Sequence, residues 1–188
     1  MLLDFAVDYV VRARLLAARS PGSGDWLEAL PLSRVGNTMD NATVRIAAGL
    51  RLGAPKVCSH LCVCGKIVAV DGHHSLCCRF GSGRHSRHNQ LNDMLRRAFI
   101  KSGSLATREL HSLCTGSGKR PDGVTQVLWS RGGSLSIAWD ATCPDTLAVS
   151  HLQAGSTRAG SAVAAAEVQK SQKYADIITG VDFVPVAI

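Results

Sequence analysis

The sequence predicts a mixed α/β (α+β) fold: a small mixed sheet with flanking helices in the order helix, strand, hairpin, helix, strand, preceded by a cysteine/histidine knuckle and a helical N-terminal tract. Three observations predict it. Val124 to Trp129 is rich in β-formers, Arg131-Gly132-Gly133 supplies a turn, and Leu135, Ile137 and Trp139 alternate with Ser136 and Ala138 at strand period, which spells a β-hairpin. Helical patterning flanks that hairpin, near 89–102 and 159–179. Five of the seven cysteines, Cys58, Cys62, Cys64, Cys77 and Cys78, crowd into one short stretch with His60, His73 and His74.

Composition narrows the class of function. With 188 residues, 46% of them hydrophobic, the chain can bury a substantial core. Its 21 Lys+Arg against 14 Asp+Glu give a net charge of +7, which favours a polyanionic partner, nucleic acid ahead of a membrane. No apolar run approaches the roughly 18 residues of a membrane span, and Asp4 and Asp8 stand where a signal peptide would carry positive charge. The expectation is a nuclear or cytoplasmic protein, not secreted, in which clustered cysteines bind metal rather than form disulfides.

Taken in order, residues 4–19 read as a helix stopped by Ser20-Pro21-Gly22-Ser23-Gly24. A second helix starts behind Asp40 or Asn41, carries Val44, Ile46, Ala47 and Leu50, and closes at Gly53 before Pro55. The knuckle follows. Cys62 and Cys64 on a tight glycine turn, with His74 and Cys78 about ten residues on, compose a Cys₃His zinc site, with Cys58, His60, His73 and Cys77 as alternative ligands. Arg84, His85, Arg87 and His88 then form a basic cluster at the entry of the helix from about Asn89 to Ser102, an anion site suited to a phosphate backbone. Leu91, Met94, Leu95 and Ala98 give that helix its core face, and Gly103 stops it.

Leu105 to Leu110 is the first strand and bears Glu109. In the hairpin that follows, Asp122 and Asp140 have their midpoint at position 131, inside the turn, so folding sets them opposite one another. Opposed carboxylates are destabilising unless compensated, and a divalent cation such as Mg²⁺ is the expected compensation. The Ala-rich helix carries Val163, Ala166, Lys170, Tyr174 and Ile177 on one face, so Lys170 interrupts an apolar stripe, with Lys173 slightly off it. A lysine aimed inward there would set its ammonium beside Asp122 and Asp140, to orient water and stabilise charge on a phosphate transition state. Phe183 to Ile188 reads as a last strand.

These pieces resemble, in the same order, the restriction-like endonucleases of the PD-(D/E)xK superfamily, in the form found at the C-terminus of site-specific non-LTR retrotransposon reverse transcriptase proteins. The matching pieces are the Cys/His knuckle, Arg87-His88-Asn89 opening a helix, Glu109, Lys119-Arg120-Pro121-Asp122, Trp139-Asp140 and Lys170-Ser171-Gln172-Lys173-Tyr174. The resemblance covers roughly Cys58 to Ile188. It implies a helical linker tract over 1–55, a zinc knuckle over 56–82 and a nuclease domain over 83–188, in a chain that is a C-terminal piece of a retroelement reading frame. It also implies Asp122 and Asp140 as Mg²⁺ ligands, Lys170 as the catalytic lysine, Glu109 as a further catalytic acid, and Arg84, Arg87, His88, Lys119 and Arg120 as nucleic-acid contacts. Many superfamily members carry the lysine two residues after the second acid, where Thr142 stands here; the retroelement form, like this sequence, moves it to the next helix.

The function so implied is a Mg²⁺-dependent DNA endonuclease that nicks target DNA to prime reverse transcription, leaving 5′-phosphate and 3′-hydroxyl ends, with structural Zn²⁺ and with the element's RNA as a second candidate partner. No small-molecule substrate and no membrane are expected. Two other classes compete: a catalytically inactive, zinc-containing nucleic-acid-binding remnant, and a structural zinc domain with a protein partner.

Overall fold

The computed structural model describes residues 8–109, 120–126, 136–175 and 180–188. Those residues form a mixed α/β protein with seven α-helices, a two-stranded ribbon and a four-stranded mixed sheet. In chain order the elements are α1 (Tyr9–Ala18), α2 (Asp25–Glu28), α3 (Asn41–Leu52), β1 (His60–Leu61), β2 (Ile67–Val68), α4 (His73–Cys77), α5 (Ser82–Lys101), β3 (Ala106–Arg108), β4 (Gly123–Thr125), β5 (Ser136–Thr142), α6 (Val149–Gly155), α7 (Ser161–Tyr174) and β6 (Val181–Ala187). The chain divides into two units. One comprises residues up to Arg84 together with Asp145–Ala162, the other His85–Pro144 with Val163–Ile188.

In the first unit the helix starts follow from local capping. Asp8 Oδ1 accepts the Val10 N–H at 2.8 Å, and Asp40 Oδ1 accepts the Thr43 N–H at 2.7 Å, each satisfying an orphan donor of the first turn. The helix expected over 4–19 is observed from Tyr9, its first residues lying outside those described. Gly53, at φ 73°, closes α3 as the sequence predicts. α1 packs on both α3 and α6. Its Ala13 is fully buried, and a Cβ added at Gly155 of α6 would stand 3.5 Å from the Ala13 Cβ, so small residues set the close approach of these helices. Arg14 anchors the arrangement: its guanidinium donates to the Leu50 carbonyl at 2.8 Å and to Asp71 Oδ2 at 2.6 Å, meeting a last-turn acceptor of α3 and a carboxylate just before α4.

The second unit is built on the sheet ordered β3-β4-β5-β6, with β3/β4 and β4/β5 antiparallel and β5/β6 parallel. Val124, Ala138 and Tyr174 form its buried cluster, with Val181 and Phe183 packed against them. The alternate residue of β5, Trp139, is 1% exposed; its indole N–H donates to Asn92 Oδ1 at 3.0 Å and its ring stacks on Phe99 at 5.1 Å between centroids. So α5 serves the Trp139 face and α7 the Ala138 face, following the period-2 alternation of the strand. Gly123 lies opposite Trp139, and a Cβ there would fall 2.0 Å from the indole. Glycine at that position is what admits the ring. Pro185, with no N–H for a ladder, lies on β6 at the sheet edge.

Three differences from the sequence expectation stand out. α5 begins at Ser82 rather than near Asn89, because the Gly81 N–H closes a turn on the Cys78 carbonyl and the helix starts at once, absorbing Gly83 that reads as loop. α6 occupies what the sequence presents as loop after Pro144. β3 ends at Arg108, one residue short of Glu109, which takes a left-handed φ of 54°. The turn of the hairpin, Arg131 to Gly133, lies outside the described residues, as does Leu110.

Candidate functional site

The knuckle of the first unit forms around Cys62 to Lys66. The Gly65 N–H bonds to the Cys62 carbonyl at 2.9 Å and the Cys62 N–H to the Lys66 carbonyl at 2.8 Å, while Gly65 supplies φ 80°. β1 and β2 flank this turn as an antiparallel pair. α4 then presents His74, with Cys78 as its C-cap. Cys62 Sγ lies 3.6 Å from Cys78 Sγ, Cys64 Sγ lies 3.1 Å from His74 Nε2, and all four ligand atoms are within 4.8 Å of one another. The S···S edge of a tetrahedral Zn²⁺ site with Zn–S near 2.3 Å is about 3.8 Å. The Cys₃His cluster therefore fits a metal ion such as zinc.

Its electrostatics favour the thiolate at Cys78 and disfavour it at Cys62. The Phe80 N–H, foremost, holds the Cys78 thiol below its ordinary value, with the Cys62 thiol and the Gly81 N–H adding to the effect. For Cys62, the Cys64 N–H pulls downward, but burial and the neighbouring cysteines outweigh it and push the thiol up. Of the other ligands proposed from sequence, Cys58 and His60 are exposed, and His60 Nδ1 sits 2.8 Å from the Cys58 carbonyl. His73 and Cys77 turn elsewhere, to Asp145, with His73 Nε2 2.8 Å from Asp145 Oδ1. Burial pushes the Asp145 carboxyl up, but the His73 hydrogen bond and charge hold it below the usual carboxylate range.

The second cluster is built on the sheet. The register pairs Gly123 with Trp139 and Val124 with Ala138, and its next step sets Asp122 opposite Asp140, as the hairpin midpoint predicts. Asp140 is 3% exposed at the centre of β5. From α7, Lys170 Nζ donates to Asp140 Oδ1 at 2.7 Å and Lys173 Nζ to Oδ2 at 3.4 Å. Tyr174, one turn beyond Lys170, fixes this end: its hydroxyl donates to the Arg120 carbonyl at 2.5 Å and accepts from Lys173 at 2.8 Å. Burial pushes the Asp140 carboxyl up, yet the Lys170 and Tyr174 hydrogen bonds and the two lysine charges overcome it and hold that carboxyl below its ordinary value.

Asp122 Oδ2 accepts the Ala141 N–H at 2.8 Å and lies 3.0 Å from His88 Nε2. His88, Asp122 and Asp140 offer ligand atoms within 4.8 Å of one another. The opposed carboxylates are thus compensated by two ammonium groups, a backbone N–H and an imidazole.

His88 belongs to this acid cluster, whereas Arg84 and Arg87 are exposed in the first turns of α5. Glu109 is also exposed; what it brings to the site is its backbone N–H, which donates to the Asp122 carbonyl at 3.0 Å. Arg120 is exposed beside buried Pro121, and Lys119 lies outside the described residues. Asn92, Tyr174 and Asp145 carry no expected role from sequence. Tyr174 had a signal in its place on the Lys170 face; Asp145, 72 residues from His73, had none.

Fold and clusters define the class: a mixed α/β protein with a Cys₃His cluster that fits a metal ion in one unit and a histidine, carboxylate and lysine cluster on the sheet of the other. No helix among the described residues is long and apolar enough to cross a membrane. No protein-family model, curated protein or solved structure matches the chain.

Proposed function

We propose that the chain is a metal-dependent DNA endonuclease of the retroelement type, hydrolysing a phosphodiester to nick target DNA for primed reverse transcription. The observation that carries the reading is the contact of Lys170 with Asp140 at 2.7 Å, beside an Asp122 that the strand register sets opposite. Two acids and a lysine from the following helix are what phosphodiester hydrolysis asks of a protein: oxygen ligands for a hard cation, and a fixed positive charge where the phosphate gains negative charge.

Asp122 and Asp140 would hold Mg²⁺, and the two carboxylates fit that ion's preference for oxygen with the rest of its shell left to water and phosphate. Bound there, Mg²⁺ would supply Lewis-acid polarisation of the scissile phosphate. The chain's own groups do the rest. Lys170 orients the attacking water and stabilises charge on the phosphate, Tyr174 fixes Lys173 behind it, and His88 holds Asp122 in place. Arg84, Arg87 and Arg120 supply positive charge for the backbone of DNA. The Cys₃His cluster, closed by four protein ligands, would hold zinc in a structural role.

Nicking of supercoiled duplex DNA by the purified chain tests the reading. Activity is expected with Mg²⁺ and is expected to vanish in the Asp122→Ala, Asp140→Ala double variant. Lys170→Met should lose about 100-fold or more in rate, the scale for removing one transition-state donor. Nicking that survives the double variant would overturn the assignment.

One observation favours a second reading, a nucleic-acid-binding remnant without catalysis: both Asp140 oxygens are already engaged by lysine ammonium groups. That reading expects salt-sensitive DNA binding and no cleavage with any divalent cation.

A further inference from the structure

The knuckle holds more metal-ligating groups than one Cys₃His site uses. α4 carries His74 four residues before its C-cap, Cys78, and also His73 with Cys77 at the same spacing, one residue earlier. A spacing of four sets side chains on one helix face, and a shift of one residue turns that face by about 100°. The doubled letters His73-His74 and Cys77-Cys78 thus present two His/Cys pairs on adjoining faces of one short helix. One pair meets Cys62 and Cys64. The other meets Asp145, and the three ligand atoms of His73, Cys77 and Asp145 lie within 4.8 Å of one another.

The three groups already bond to one another and to backbone: His73 Nε2 lies 2.8 Å from Asp145 Oδ1 and the Cys77 thiol donates to the His74 carbonyl at 3.6 Å, contacts that an incoming ion would replace. Asp145 Oδ1 accepts the Leu147 N–H at 3.0 Å, which orients the carboxylate, and Asp71 Oδ1 accepts the His73 backbone N–H at 3.2 Å, which fixes the start of α4. All three residues are half-buried. We infer that His73, Cys77 and Asp145 form a second metal site, taking a transition-metal ion of borderline softness such as Zn²⁺. One nitrogen, one sulfur and one oxygen donor exclude Mg²⁺ and Ca²⁺ as preferred occupants, and three protein ligands leave a fourth position for water. Loading releases the Cys77 thiol proton to solvent, so uptake there liberates acid. The inference stands apart from the nuclease reading, because it concerns metal stoichiometry in the first unit alone.

Metal counting on the full chain, saturated with Zn²⁺ under reducing conditions and freed of excess ion, tests it. Two zinc ions per chain are expected, falling to one in Cys77→Ser and to one in Asp145→Ala. A single ion at saturation, or two ions that persist in both variants, would overturn the site. Should a variant fail to fold, cobalt substitution of the unaltered chain decides. The first equivalent should give the intense thiolate-to-cobalt band of a three-cysteine site, and the second a weaker increment from one thiolate. A second equivalent that adds no such band refutes the inference. Cys62→Ser removes the first band and leaves the second, so failure of the Cys₃His reading is read separately.

Discussion

Trp139 sits over bare backbone at Gly123, where an added Cβ would fall 2.0 Å from the indole. The ring is also held by Asn92 and Phe99, so it cannot step aside cheaply. Gly123→Ala is expected to cost about 1–3 kcal/mol by overpacking, read as a lower urea midpoint; an unchanged midpoint would contradict the packing described. Asp140 gives a prediction in pH. Its carboxyl is held low in the folded chain, so its contribution to stability is complete above the ordinary carboxylate range and is lost as pH falls through the lowered value. Lys170→Met removes the strongest lowering contact and leaves burial acting upward, so the Asp140 titration followed by carboxyl-carbon NMR should move to higher pH. A titration that stays in place would show that Lys170 does not set this carboxyl. The opposition of Asp122 and Asp140 was legible because two strands and a turn midpoint fix a register. The roles of His88 and Asp145 were not, because each depends on a partner far along the chain.

At the scale of elements, sequence signals worked where capping is local and failed where context decides. Asp40 and Gly53 mark both ends of α3 in the letters themselves. The letters place the start of α5 seven residues late because Gly81-Ser82-Gly83 resembles loop, whereas the turn closed by Cys78 delivers the chain already poised for helix. α6 has seven residues and Ala148 at its N-cap, with no side-chain cap, so it carries no start signal; its support is the packing of α1. Arg14 ties α1 to α3 and to the segment before α4 by hydrogen bonds. Arg14→Met keeps the apolar stem but loses the bonds to Leu50 and Asp71, at an expected cost of about 1.5–3 kcal/mol, the range for charged hydrogen bonds. Hydrogen exchange should show the loss as weaker protection in α1; protection equal to that of the unaltered chain would demote Arg14 to a surface contact.

For the whole molecule, the Cys₃His cluster and the four-stranded sheet belong to different units. All four residues of the Cys₃His cluster lie in the first unit; β5 and β6 pair over seven residues in the second, whose core around Tyr174 contains none of them. Stripping metal with a chelator is therefore expected to remove exchange protection from residues 60–78 while leaving the amides of β5 and β6 protected. Simultaneous loss in both would show that the sheet depends on the knuckle. The first unit is also interrupted: its final segment, Asp145–Ala162, comes after β3, β4 and β5 in the chain. On the ribosome, then, α1 is made early and must wait for α6, while β3, β4 and β5 of the other unit emerge in between. A gene fragment cut at residue 83 would leave the α6-facing side of α1 uncovered and His73 without Asp145, however well its own letters fold.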